Sequence, residues 1–380
     1  MKYSYLVIFT LLFSKSLLAL PVQRLMESPK ATLLGGAFTA RADDEYTLFY
    51  NPAGLGRNEG FKLNPLNINI SGSNIIDDRD RFDNLPDTVE GVTARLAEYP
   101  IHINLGSTPS FKMGSFGFNL FANSKTDMLI TNALDPEIHI NSNNDKGFIT
   151  GIAFGFGRGQ ISTDDVPGFR KKRVNGYRMS FGLGVKYIDR TSIRATESLL
   201  SPGLYNLITN GNADLKTLKS YFGESRGKGL GVDLGTEYTL TSGRSNFIAS
   251  LALLDVGDTS FSRKSGTRSI ASQKMTLNSG LSWRQDCTLF DLIVSTDIQG
   301  LNQNRDFMQK FHFGTELAFP IISLYSGFSE GYLSYGVSAH IFPVKITAGF
   351  NSREFGEKYK SRKSKEFVAT VSLFNFSFNL

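Results

Sequence analysis

The side chains best able to do chemistry in this 380-residue chain are few and scattered. Four histidines, His102, His139, His312 and His340, stand singly in strand-like segments, without the close spacing that a metal ion asks of its ligands. A catalytic serine elbow of the Gly-x-Ser-x-Gly kind is not read from the sequence. Cys287 is the one cysteine, so an intrachain disulfide is excluded. No enzyme, metal or organic cofactor is therefore expected. What remains is a set of charged residues, Arg178, Lys186, Asp233, Glu237, His312 and Glu316, each at alternate positions opposite apolar neighbours. Such groups suit the wet wall of a lumen, where Arg284 and Lys345 could pair with them.

The elements that would position these residues have period two. In the run from Tyr177 to Tyr187, odd positions are apolar or aromatic and even ones are Arg, Ser, Gly, Gly and Lys. The same alternation recurs at 230–240, 311–319 and near 290, the mark of strands with two unlike faces. Such segments reach about ten residues, enough for a tilted strand to cross a bilayer. Ionisable residues are costly toward lipid and tolerated in a lumen, so the aromatic faces should look outward. Alternation also explains a mean hydropathy of only -0.15 beside 31 Phe and 14 Tyr.

The two chain ends support export and membrane insertion. Lys2, an apolar run from Tyr5 to Phe13 and Ala19 describe a secretory signal peptide over 1–19, too short to span a bilayer. At the other end Phe374, Phe376, Phe378 and Leu380 form an alternating stripe that resembles the motif read by the barrel-assembly machinery. The usual final residue there is aromatic, and Leu380 departs from it. Net charge is +6, but its basic residues are dispersed and export removes nucleic acid as a partner. Two basic clusters, Arg170-Lys171-Lys172-Arg173 and Arg362-Lys363-Ser364-Lys365, read as solvated loops.

Counting alternating segments gives about fourteen strands, beginning near 62, 100, 114, 147, 176, 228, 246, 274, 288, 309, 321, 332, 343 and 366. With both termini periplasmic, 72–99, 124–146, 191–227, 257–271 and 353–365 are the long outer loops. The short turns fall near 107–113, 241–245, 285–287, Pro320 and Pro343. The long 158–175 connection lands on the periplasmic side, against that rule. Helical spacing at 85–98 and 198–222 suggests loops that cover the mouth. The fold class expected is an all-β transmembrane antiparallel barrel.

Between the two ends lies Gly35-Gly36-Ala37-Phe38-Thr39-Ala40, then Ala42-Asp43-Asp44, then Asn51-Pro52-Ala53-Gly54-Leu55. This pattern resembles the N-terminal region of FadL-like outer-membrane proteins. Echoes at Gly231-Val232-Asp233-Leu234-Gly235, at Leu254-Asp255-Val256-Gly257-Asp258 and around Gly327 to Tyr332 look closer to the PorV-like and uncharacterised spirochaete-type branches. The resemblance implies that residues 20–61 fold inside the lumen of a barrel formed by 62–380, with Asn51, Pro52, Ala53 and Gly54 as the turn of a hatch. In that setting Asp43, Asp44 and Glu45 would lie near Arg178 or Lys186. The physics is compatible, since Pro52 fixes φ, Asn51 can bond local backbone and Gly54 is permissive.

The resemblance implies passage of small hydrophobic molecules such as long-chain fatty acids across the outer membrane. The alternative is a PorV-like scaffold or shuttle serving secretion or surface attachment of other proteins. A lateral opening and an apolar pocket under the loops would favour transport; a lumen filled by its plug would favour the scaffold.

Overall fold

The computed structural model describes residues 24–378 apart from 58–59, 74–77, 84–85, 87, 133, 162–173, 210–214 and 357. The export segment at 1–19, the basic cluster at 170–173 and Leu380 lie outside the described residues.

The chain forms a closed, all-antiparallel β-barrel of 14 strands. β1 has two pieces, Phe61–Asn64 and Leu66–Ser73, and so has β2, Ile101–Ser107 and Ser110–Met113. β3 is Phe116–Thr131, β4 Glu137–Gly159, β5 Val174–Ser198 and β6 Ser225–Gly243. β7 is Ser245–Leu254, β8 Thr276–Asp286, β9 Asp291–Ile298 and β10 Phe311–Ala318. β11 is Ile322–Ser329, β12 Tyr332–Ile341 and β13 Val344–Glu354. β14 runs Lys363–Leu373 and resumes at Phe376–Phe378. Each strand pairs with the next, and β14 closes on β1 with Leu373 opposite Leu66 and Phe376 opposite Leu63. Closure leaves no edge strand, which hydrocarbon requires because it cannot hydrogen-bond free backbone groups.

The faces divide as alternation requires. Along β5 and β6, Phe181, Leu183, Leu230 and Leu234 are exposed on the outer face, and Lys186, Asp233 and Glu237 are buried toward the lumen. One local rule-break occurs beside the C-terminus. Pro65 in β1 and Phe374, with φ of 57°, in β14 interrupt neighbouring strands side by side. The lipid-facing parity flips in both strands there, from Leu66 and Ile68 to Leu63, and from Leu373 to Phe376. The terminal stripe is thus reset by one residue, and Phe374 stacks on Phe376 with ring centroids 6.4 Å apart.

Most strand positions agree with the alternation, and the differences have physical reasons. The outer loop expected at 124–146 is mostly strand: β3 and β4 stay in register from Phe116 opposite Ile152 to Thr131 opposite Glu137. Its Asn, Ser, Lys and Asp residues read as loop, yet ladder hydrogen bonds do not need an apolar face once the strands leave the bilayer. Likewise β2 runs through 107–113, and the chain turns at Gly114, which has φ of 57°. The strand ends that flank the 158–175 connection pair at Gly159 and Gly176, at the barrel end that carries the short turns; its residues 162–173 lie outside the described residues. Outside, helices Val89–Leu96, Pro202–Thr209 and Leu215–Phe222 cover the extended β3–β5 hairpins. Val89, Leu96, Leu204 and Phe222 bury themselves there against Ile130, Ile138 and Ile193.

Candidate functional site

Residues 24–57 occupy the lumen. Ser28 caps the helix Pro29–Leu33, its side chain accepting the Ala31 N–H at 3.3 Å, and Pro29 stands where no N–H is needed. Gly35 and Gly36, at φ of 62° and 86°, end that turn against the wall, where a methyl on Gly35 would strike the Phe328 and Phe313 backbone. A short helix Thr47–Tyr50 and a 3-10 turn Pro52–Gly56 follow, with the Asn51 Oδ1 accepting the Ala53 N–H at 3.0 Å.

This segment has no sheet partners, so wall side chains serve its backbone. Asp297 accepts from the N–H groups of Phe38 and Thr39 at 2.9 and 2.7 Å. Asn123 donates to the Leu25 carbonyl at 2.9 Å and Ser334 to the Leu33 carbonyl at 3.0 Å. His312 reaches the Gly35 carbonyl through Nδ1 at 2.7 Å, which makes Nδ1 the protonated nitrogen.

At its closest approaches to the inner segment, the wall is glycine. The Pro52–Ala53 peptide lies on Gly182, and Asn51 lies on Gly235, so closely that no larger residue fits. Leu34 sits on Gly314, where an added methyl would come within 2.5 Å of its carbonyl. The inner segment buries Leu33, Phe38, Tyr46, Leu48 and Phe49 in one cluster, and the wall adds Phe121, Ile149, Ala153 and Ile188 from β3–β5.

Ion pairs fasten the rest. Arg57 meets Glu237 in two bonds, Nε to Oε1 at 2.9 Å and Nη2 to Oε2 at 2.6 Å, with both residues buried. Glu27 joins Lys125 at 2.8 Å and Arg353 at 2.7 Å. Burial drives the Glu27 carboxyl upward, but the Arg353 and Lys125 charges outweigh it and hold the carboxyl well below its usual range. Glu316 lies 3.2 Å from Lys30 and 3.3 Å from Arg41. Asp43 pairs with Lys30 and Arg41, and Asp44 accepts from Ser28 at 2.7 Å, so neither meets Arg178 or Lys186 as anticipated. Lys186 instead bridges Asp233 at 2.8 Å and Asp255 at 2.9 Å within the wall. Arg178 lies against Gly155 on the same lumen face, and Arg284 pairs with Asp291 across the β8–β9 turn. Of the terminal stripe, Phe374 is half exposed.

Two cavities flank the segment. One of about 150 Å³ faces the long loops and is bounded by Arg24, Glu27, Asp255, Gln299, Arg305 and His312. Another, of about 280 Å³, faces the short turns, among Lys30, Asp43, Asp44, Arg57, Lys62 and Lys345. The loop-side cavity mixes those charged groups with Leu25, Met26, Phe49, Tyr50 and Leu254, whereas the turn-side one is mainly charged and polar. The wall is not open where β7 bulges beyond Leu254: Val256 bonds the Val232 carbonyl at 2.9 Å, and Thr259 and Gln273 exchange two bonds of 2.9 Å.

No curated protein matches the sequence. Residues 148–323 match the model of a family of unknown function (DUF5723). Similar solved structures include a TodX monoaromatic hydrocarbon channel deltaS2 mutant, at 12% identity and TM-score 0.44, covering 92% of this chain and 99% of that one. The Pseudomonas putida toluene transporter TodX follows at 11% identity and TM-score 0.39, with 93% and 98% covered. The CymD monoaromatic hydrocarbon channel has 11% identity and TM-score 0.33, with 94% and 99% covered. At such scores the likeness is one of chain course, and nothing about cargo is taken from it.

Two features here escaped the sequence. Gly327-Phe328-Ser329-Glu330-Gly331 does match Gly-x-Ser-x-Gly, contrary to the expectation of no such motif. It forms the β11–β12 hairpin, with Ser329 paired to Tyr332 across a turn, not a strand-to-helix elbow. His102 and Asp127 form a fully buried pair at 2.5 Å; the nearby Ser73 hydroxyl serves the His102 backbone N–H and the Pro100 carbonyl. Among the described residues no three His, Cys, Asp or Glu side chains gather as metal ligands.

Proposed function

We propose that the protein is a hatch-gated outer-membrane channel that admits small hydrophobic molecules such as long-chain fatty acids or simple aromatics. The observation that carries this reading is the apolar strip Phe121, Ile149, Ala153 and Ile188 on the lumen face of β3–β5. It is covered by residues of the hatch, with Phe49 edge-on to Phe121 at 5.6 Å. Withdrawing the hatch would expose an apolar track along an otherwise polar wall, breaking its bonds to wall side chains but none between the barrel strands. Insertion by the barrel-assembly machinery and residence among outer-membrane lipids go with this reading. The test compares uptake of labelled fatty acids and aromatics by cells with and without the protein, and binding of both by the purified barrel. Faster uptake with binding supports transport; no uptake and no binding removes it.

The PorV-like reading draws on a different observation, the lumen closed by its segment beneath a helix-covered extension of β3–β5. A scaffold would conduct nothing, and its deletion would release surface-attached proteins into the medium.

A further inference from the structure

The basic run Arg362 to Lys365 read as a solvated loop, but part of it faces the membrane. On β12, β13 and β14 the outward positions are Leu333 and Tyr335, then Phe350, then Phe367. Leu333 is 68% exposed and Tyr335 59%, and the Tyr335 and Phe350 rings pair across strands at 5.8 Å. One step toward the outer end the outward positions change character: Ser352 stands opposite Lys365, and Lys363 follows two residues on. The β11–β12 turn reaches under the next loop, with Gly331, at φ of 91°, so close to Tyr359 and Lys360 that a side chain there would strike them. Together these surfaces form a groove of about 810 Å³, apolar below and edged by Lys360, Lys363 and Lys365.

Three described carboxylates of this corner, Glu354, Glu330 and Glu366, have donors besides the three lysines. Glu354 accepts from the Tyr332 hydroxyl at 3.0 Å and from the N–H groups of Ser361 and Arg362 at 2.9 and 2.6 Å. Glu330 accepts the Glu354 N–H at 2.8 Å, and Glu366 faces the lumen beside Arg353. The lysines stay close to the groove, with Lys363 Nζ 5.3 Å from the Tyr332 ring centre. Three ammonium groups above an apolar slope that continues the lipid-facing surface complement an anion tethered to acyl chains. A free anion would have no use for the slope, and a neutral lipid none for the lysines.

We propose that this groove binds a phosphorylated lipid of the outer leaflet. Its phosphate rests on Lys360, Lys363 and Lys365, and its chains lie over Leu333, Tyr335 and Phe350. The test titrates the purified folded barrel, in a non-ionic detergent, with lipid A, phosphatidylglycerol or phosphatidylcholine, and counts bound lipids by native mass spectrometry. One tightly held phosphorylated lipid is expected, and whichever of the two binds more tightly names the source. Lys360→Ser, Lys363→Ser and Lys365→Ser combined should weaken it at least about tenfold, whereas Lys363→Arg with Lys365→Arg keeps it. Heat-modifiable gel mobility checks that each variant is folded. Equal affinity for phosphatidylcholine, unchanged binding by the triple variant, or displacement of the lipid by inorganic phosphate alone would each overturn the proposal.

Discussion

The two ends of the inner segment are fastened by different physics. Near residue 27 the hold is charge: Glu27 between Lys125 and Arg353, beside a cavity of about 150 Å³. Near residues 51–56 the hold is mainly fit, with the Pro52–Ala53 peptide on Gly182 and the Asn51 side chain on Gly235, and one buried pair, Arg57 with Glu237, follows before β1. A carboxylate in a charge pair answers to pH, because protonation removes its attraction. A steric seat does not. On the proposed hatch reading, the first end is the one that would let go and the second would act as the hinge.

Filling the seat gives the largest expected effect. Gly182→Leu with Gly235→Leu would drive side chains into Pro52, Ala53 and Asn51. Overpacking costs about 1–3 kcal/mol at each site, and the inner segment yields before a closed ladder does. The variant should still insert, conduct strongly in planar bilayers and become protease-sensitive between residues 24 and 57. A tight, protected lumen would show that the seat is not a steric lock.

Next comes the charged end. Because Glu27 is held below its usual range, its ionised form stabilises the closed segment above its unfolded pKa, and that stability is lost as pH falls through the folded one. Wild type should stay closed through pH of about 4, where free glutamate titrates, and open only below it. Glu27→Gln should leak already at neutral pH, since removing one member of a buried ion pair costs up to about 3–5 kcal/mol. Equal conductance of the two proteins between neutral pH and 4 would make the two ends alike.

These contrasts also mark how far the sequence could be read. The barrel was legible because lipid outside and polar groups inside force alternation on every strand, and the strand starts at 62, 176 and 332 fall within a few residues of those found. Above the bilayer that constraint lapses, which is why Asn141 to Lys146 read as loop although they lie in β4. The partner of Glu237 was illegible for another reason. Arg57 stands 180 positions away, in the inner segment rather than on a neighbouring strand, so no strand spacing could point to it. Glycines at alternate positions, Gly182 and Gly184 or Gly231 and Gly235, were visible as a pattern but mute about what rests on them.

A milder change at the seat tests the turn itself. Replacing Asn51, Pro52 and Ala53 by three glycines keeps the length and removes the Asn51 side-chain bond to the Ala53 N–H. It also frees a fixed φ, and the loss of turn and cap should amount to about 1–2 kcal/mol. Insertion should be normal, with a modest rise in leak or a fall in specific uptake, smaller than for the filled seat. Wild-type conductance and uptake in a correctly inserted variant would mean that this segment is not a working hatch.

The smallest effect should come from the second apolar cluster, above the membrane. Leu204, 2% exposed, packs in a cluster with Ile193 and Leu96 on the β3–β5 extension. Truncating a buried leucine to alanine costs about 2–5 kcal/mol where the surroundings hold their shape. Here the loss should fall on a local unit, because the cluster lies on the outer extension of β3–β5 and has no member from residues 24–57. Leu204→Ala should therefore speed hydrogen exchange in 89–96 and 202–209 and leave the exchange of residues 24–57 unchanged. Conductance should stay at the wild-type level, because the charged latch and the glycine seat are both intact. If Leu204→Ala opens the lumen, the cover and the hatch move together, and the division between a releasable end and a hinge must be redrawn to include the outer helices.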